Sequence, residues 1–272
     1  MTSLETRLKA DFRNFLIYVW RNLSLPTPTL IQLEMAEYLQ WVYEKSGSRR
    51  AIIEAFRGVG KSWITSAFVC WLLLKDPQLK ILVVSASKER SDSFSIFTKR
   101  LIHELPVLKH LIPRDEQRTS NVAFDVAPAK AAHAPSVKSV GITGQMTGSR
   151  ANVIIADDVE TPKNSQTQVQ RDKISELVKE FEAILSPGGT ILFLGTPQTE
   201  MSLYNTLRHE RGYLCRIWPS RYPSHNKLIY YGGALAPSIL KVCTEQPERI
   251  GTPTEPTRFP DEELEGREKS YG

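Results

Sequence analysis

Ala51-Ile52-Ile53-Glu54-Ala55-Phe56-Arg57-Gly58-Val59-Gly60-Lys61-Ser62 is the stretch on which the fold turns. Its opening is an apolar run, as a strand buried on both faces requires, and Lys61 to Leu74 then repeats apolar side chains at helical spacing. Between them lies a strand-to-helix turn that matches the Walker A pattern G-x-x-x-x-G-K-[ST], except that Ala55 stands where the first glycine is expected. The chemistry depends on the closing half, which is intact. Gly58 and Gly60 belong to the phosphate-facing loop, and Gly60 lets the backbone approach. Amides opening the helix point at the phosphates, Lys61 can bridge the β- and γ-phosphates, and Ser62 can coordinate Mg²⁺. Arg57 is an unusual guest there, either a solvated surface side chain or a second positive charge over the γ-phosphate.

Outward from this turn, strand and helix patterns alternate. Ile81 to Val84 reads as a strand and Lys88 to Leu105 as a helix. A short strand is expected at Val122 to Val126, a β-branched segment lies around Val137 to Ile142, and a strand is expected at Val153 to Ala156, then a helix over Gln166 to Leu185, a strand at Thr190 to Leu194 and a helix at Met201 to Arg211. Apolar strands separated by helices predict an α/β fold with a mostly parallel central sheet flanked by helices. Upstream, helices are expected at Leu4 to Leu23 and Leu30 to Tyr43, separated by Pro26-Thr27-Pro28-Thr29. From about Ser220 the pattern dissolves into Pro, Gly and charge, which predicts a linker or small lid rather than a second core. The expected organisation is a helical segment at 1–45, a core at 46–219 and a lid or linker at 220–272.

A second motif closes a later strand. Asn152-Val153-Ile154-Ile155-Ala156-Asp157-Asp158-Val159-Glu160 is apolar until it ends in carboxylates, which a parallel sheet would deliver to the same edge as the phosphate loop. There Asp157 would hold Mg²⁺ and Asp158 would orient or deprotonate the attacking water, with Glu160 the competing base. Taken alone, such acids could merely begin a solvated loop. Beside a phosphate loop, adjacent like charges suggest a cation between them.

Composition sets wider bounds. The 272 residues are 41% hydrophobic and 24% charged, which excludes a disordered or fibrous chain. No run approaches the roughly 18 to 20 apolar residues a membrane helix needs, and Met1-Thr2-Ser3-Leu4-Glu5 is no signal peptide, so a cytoplasmic protein is expected. Cys70, Cys215 and Cys243 show no metal or disulfide spacing and read as buried small side chains. A net charge of +5 is compatible with nucleic acid without proving it.

Several blocks together resemble the large terminase ATPases of short-tailed tailed phages: Phe56 to Ser62, Ile81 to Arg90, Ser136 to Gln145, Ala156 to Glu160 and Leu194-Gly195-Thr196-Pro197-Gln198-Thr199-Glu200. The likeness covers roughly residues 10 to 272. It implies a P-loop NTPase of the ASCE type that uses ATP and Mg²⁺ to drive double-stranded DNA through the portal protein into a procapsid, in the host cell cytoplasm. The implied partners are the small terminase subunit and further copies in a homo-oligomeric ring, a pentamer in that family, with no membrane. It further suggests Gln32 as an adenine-reading glutamine, against the alternative of a surface residue on an amphipathic helix. Thr196, in Gly195-Thr196-Pro197, looks like the coupling motif that senses the γ-phosphate. A ring motor needs an arginine from a neighbour, and Arg118 and Arg150 are the candidates, each also readable as a surface or structural arginine. Lys88 and Arg90 are available for DNA phosphates. The family continues into an RNase H-type nuclease, so no nuclease activity is expected from these residues. A helicase-like remodelling ATPase and a nucleotide-binding module without turnover are the competing readings.

Overall fold

The computed structural model describes residues 3–196 and 201–271. In chain order its elements are α1 (Ser3–Ala10), α2 (Phe12–Asn22), α3 (Leu30–Glu44), β1 (Arg50–Ala55), α4 (Lys61–Lys75), β2 (Ile81–Ser85) and α5 (Lys88–Glu104). There follow β3 (Ala123–Phe124), β4 (Val137–Gly141), β5 (Ala151–Asp157), α6 (Pro162–Ser165), α7 (Gln168–Leu177), α8 (Glu180–Ile184), β6 (Leu185–Gly195) and α9 (Leu203–Glu210). The last are β7 (Leu214–Trp218), α10 (His225–Tyr231), α11 (Pro237–Glu245) and α12 (Asp261–Tyr271).

The strands form one sheet in the order β3-β4-β2-β5-β6-β1-β7. Every pairing is parallel except the short β3–β4 edge. The strand pattern explains why both faces need cover. Along β1, β2, β5 and β6, Ile53, Val83, Ile155 and Leu192 enter one core while Ile52, Leu82, Ile154 and Ile191 enter the other. With a side-chain period of two, a strand buried on both sides must be apolar throughout. This is the P-loop NTPase fold expected, with β6 standing between the phosphate-loop strand and the acidic strand.

The larger core joins parts that the sequence suggested were separate. Phe12 packs edge-on against Phe68 with ring centres 5.1 Å apart, and Trp71 Nε1 donates to Leu8 O at 2.9 Å. At the other end of the chain, Leu235, Ala236, Ile239 and Cys243 enter this same cluster. The segment after Ser220 is therefore largely helical and packed on the main sheet, without a core of its own. Cys70 and Cys243 are buried and Cys215 is partly buried, all as free thiols.

Element boundaries differ from expectation for local reasons. The expected helix over Leu4 to Leu23 breaks at Asp11, whose extended backbone and side-chain acceptance from Arg13 N at 2.8 Å cap a new helix. The expected helix over Gln166 to Leu185 divides into α7 and α8, and β6 begins at Leu185, before the expected Thr190. β7, not foreseen, pairs with β1 at the sheet edge, where only Trp218 of its five residues is fully buried. No helix among the described residues is long and apolar enough to cross a membrane.

Candidate active site at the sheet edge

β1 ends at Ala55, and the chain turns through two left-handed glycines, Gly58 (φ 91°) and Gly60 (φ 97°), before α4 begins at Lys61. A side chain is strained at such φ values. A Cβ on Gly60 would also lie 3.1 Å from Gln32 Nε2, and one on Gly58 would lie 3.0 Å from the Phe259 ring. Lys61 is only 7% exposed. Its Nζ donates to Ala55 O at 2.7 Å and to Thr196 Oγ1 at 3.0 Å, and Thr196 Oγ1 also reaches Ala55 O at 3.0 Å. Burial lowers the Lys61 pKa, against the opposing pull of Asp158 and Asp157. The ammonium thus sits among oxygens at the mouth of the turn.

The acidic strand end meets this turn. Ser62 Oγ donates to Asp157 Oδ2 at 2.9 Å, so the two motifs share one edge of one sheet. Asp157 Oδ1 is buried and has no hydrogen-bond partner among the described residues. Burial, reinforced by neighbouring Asp158, pushes the Asp157 carboxyl up to about 6. A hard cation suits this arrangement, because Mg²⁺ takes one or two protein oxygens and leaves its other positions to phosphate and water. Ser62 and Asp157 are the residues able to hold it.

Three acids close together in sequence occupy three environments. Asp158 adopts φ 48° and is half-exposed, and its N–H donates to Leu194 O of β6 at 2.8 Å, so the strand ends abruptly and is tied to its neighbour. Asp tolerates the left-handed region better than most residues, yet such an outlier points to function when it lies in a cleft. Glu160 is 2% exposed. Its Oε2 accepts from Ser202 Oγ at 3.0 Å and from Leu203 N at 2.7 Å, which caps the start of α9, while Oε1 is buried without a partner.

Gln32 is 2% exposed, so the surface alternative for it is excluded. Its Oε1 accepts from Thr29 N at 3.0 Å in a capping box, and its Nε2 donates to Val59 O at 2.8 Å. Gln32 therefore braces the phosphate loop. Arg57 is exposed on that loop beside the cleft. Arg118 and Arg150 do not line the cleft. Arg118 pairs with Asp125 at 2.9 Å and donates to the carbonyls of Ala132 and His133; Arg150 donates to two backbone carbonyls, Ser149 O and Ala183 O. Of the coupling segment, Pro197 to Glu200 lie outside the described residues.

The C-terminal segment supplies contacts that the sequence did not announce. Phe259 stacks edge-on against Phe56 of the loop, ring centres 5.2 Å apart, under the guanidinium of Arg267. Arg258 donates to Gly58 O at 3.3 Å and lines the cleft. Their only sequence signal was an aromatic between basic residues in a polar tail.

Comparison with known proteins bears on what this edge belongs to. The family model "Terminase large subunit, T4likevirus-type, N-terminal" matches residues 52–187, a span holding both motifs. A large terminase subunit of Enterobacteria phage T3 is 53% identical over 270 residues, which is 98% of this chain and 45% of that protein. The chain thus spans about half the length of this curated relative. Among solved structures, the HK97 bacteriophage large terminase is similar in fold, with a TM-score of 0.54 at 14% identity over 83% of this chain and 45% of that one. The family model spans half of the chain and the phage T3 relative matches 98% of it: the chain belongs to the terminase large subunit family, matching the model of its N-terminal part.

Proposed function

We propose that this domain hydrolyses ATP with Mg²⁺ and that the energy moves double-stranded DNA through a portal into a procapsid. The observation that carries the reading is the Ser62–Asp157 contact of 2.9 Å beside Lys61, with one Asp157 oxygen buried and unpartnered. Bound Mg²⁺ would neutralise charge on the phosphate oxygens. Lys61 would release Ala55 O for the β- and γ-phosphates, and the α4 amides would hold the phosphates beside it. Asp158 would take a proton from the attacking water. Thr196 shares Lys61 as a partner, so its hydroxyl would register the lysine's move. Glu160, bonded to the start of α9, would carry that change into the helix.

By this reading residues 46–219 are the catalytic core, 1–45 brace its nucleotide side and 220–272 form a lid over the loop. A ring of copies would supply an arginine in trans. Arg150 suits that task better than Arg118, which is already held by a carboxylate. The portal and the small subunit are partners proposed through the family. The test is steady-state phosphate release from ATP. Release is expected to stop when EDTA is added and to return with excess Mg²⁺, whereas turnover indifferent to chelation would overturn the proposal.

A further inference from the structure

The cleft beside the phosphate loop encloses about 1320 Å³, more than the roughly 300–1,000 Å³ usual for ligand pockets. It runs from Lys61 and Asp157 to a wall of aromatic rings. Trp63 follows Ser62 directly on α4. Its ring centre lies 4.6 Å from that of Phe97 on α5 and 6.3 Å from that of Trp20 on α2. Trp63 is the exception among the apolar residues of its helix, because Ile64, Ala67, Phe68 and Trp71 are all at most 1% exposed while Trp63 is 42% exposed. An isolated exposed apolar residue needs no explanation. Trp63, however, is braced by two other rings and lines the cleft next to the Mg²⁺-facing serine.

We propose that Trp63, backed by Trp20 and Phe97, is the nucleobase subsite of this cleft, and that it holds the base by stacking. The inference rests on the phosphate-loop reading above and deepens it. The occupant follows from continuity, since a nucleoside triphosphate bound through Lys61 and Ser62 must place its base elsewhere in the same cleft. Trp63 offers a flat aromatic surface on which any base can stack, because every base has a π-face. Gln32 spends one lone pair on Thr29 N and one N–H on Val59 O, which fixes its amide in the loop and leaves it one further N–H and one lone pair for a base edge, but no face on which a base could stack.

The test is isothermal titration calorimetry of the purified chain with MgATP and with magnesium tripolyphosphate, the latter having phosphates but no base. Trp63→Ala should weaken MgATP about tenfold, equal to about 1.4 kcal/mol, and leave tripolyphosphate unchanged; Trp63→Phe should restore most of the loss. Trp63→Leu, which keeps apolar bulk without the ring, carries the same expectation should the alanine variant not fold. Gln32→Ala should weaken MgATP and tripolyphosphate alike, as a loop brace would. The proposal is overturned if the Trp63 variants leave MgATP unaffected or if they weaken tripolyphosphate equally. If the parent binds neither MgATP nor tripolyphosphate, the phosphate-loop reading itself fails, a different result from base-independent binding.

Discussion

The lysine-bearing turn and the acidic strand end meet at one sheet edge, but the groups they present are held in opposite ways. On the lysine side the two buried side chains have protein partners: Lys61 holds Ala55 O and Thr196 Oγ1, and Gln32 holds Val59 O. On the acidic side, Asp157 and Glu160 each carry a buried oxygen without a hydrogen bond among the described residues. A buried polar atom lacking a partner costs about 1–3 kcal/mol, and the two lie within four residues of each other. The difference teaches which half must rearrange and which half only receives. On the proposed function, phosphates would have to displace existing bonds at the turn, whereas a cation at Asp157 would displace none from Oδ1.

The contrast breaks first at Lys61. Lys61→Ala should lower ATP turnover at least about 10³-fold, since a charge aimed at the transferring phosphoryl in a dry site is worth that much. Phosphate release equal to the parent's would remove the turn from the chemistry. Next comes the acidic side, where Asp158→Asn should keep nucleotide affinity but cut turnover about 10²–10⁴-fold, the usual contribution of general-base catalysis. Should Glu160→Gln show that pattern in single-turnover assays and Asp158→Asn not, the base is Glu160.

Smaller effects sharpen the comparison through stability. Phe259→Ala should lower unfolding free energy by about 3–5 kcal/mol, the range for removing a buried ring. Thermal melts would measure it, and an unchanged midpoint would show that the C-terminal segment does not depend on the loop. Glu54 on β1 offers a pH test. Burial pushes its carboxyl from 4.5 up to about 7, so the folded chain binds this proton more tightly than the unfolded one. Its stabilising share is complete below pH 4.5 and is lost as pH rises through 7, by about 3 kcal/mol at most. Glu54→Gln should therefore raise the melting temperature at pH 8 and leave it nearly unchanged near pH 4.5. The reverse order would refute the burial argument.

What could be read without coordinates was whatever depends on local pattern. The run Ala51 to Ala55, the glycine turn and the helix from Lys61 are visible because a doubly buried strand must be apolar and a phosphate turn must bend through glycine. Asp157 was legible as an acid ending such a strand. The division of the first helix was not, because Asp11 acts as a cap only through its own hydrogen bond to Arg13. The tail was harder still. α10 buries none of its residues, so no periodicity marked it, and Phe259 gains its meaning from Phe56, far away in sequence.

The sequence alone determined the α/β class, the family and the two motifs, since each is written in consecutive residues whose spacing the backbone period dictates. Tertiary structure decided the rest: that Gln32 is a brace, that Glu160 caps α9, that Arg118 is engaged by Asp125, and that Trp63 faces the cleft. Those roles come from which distant atoms lie within hydrogen-bond or ring-contact range. Such proximity is set by how two layers of helices close over one sheet, and no local pattern encodes it.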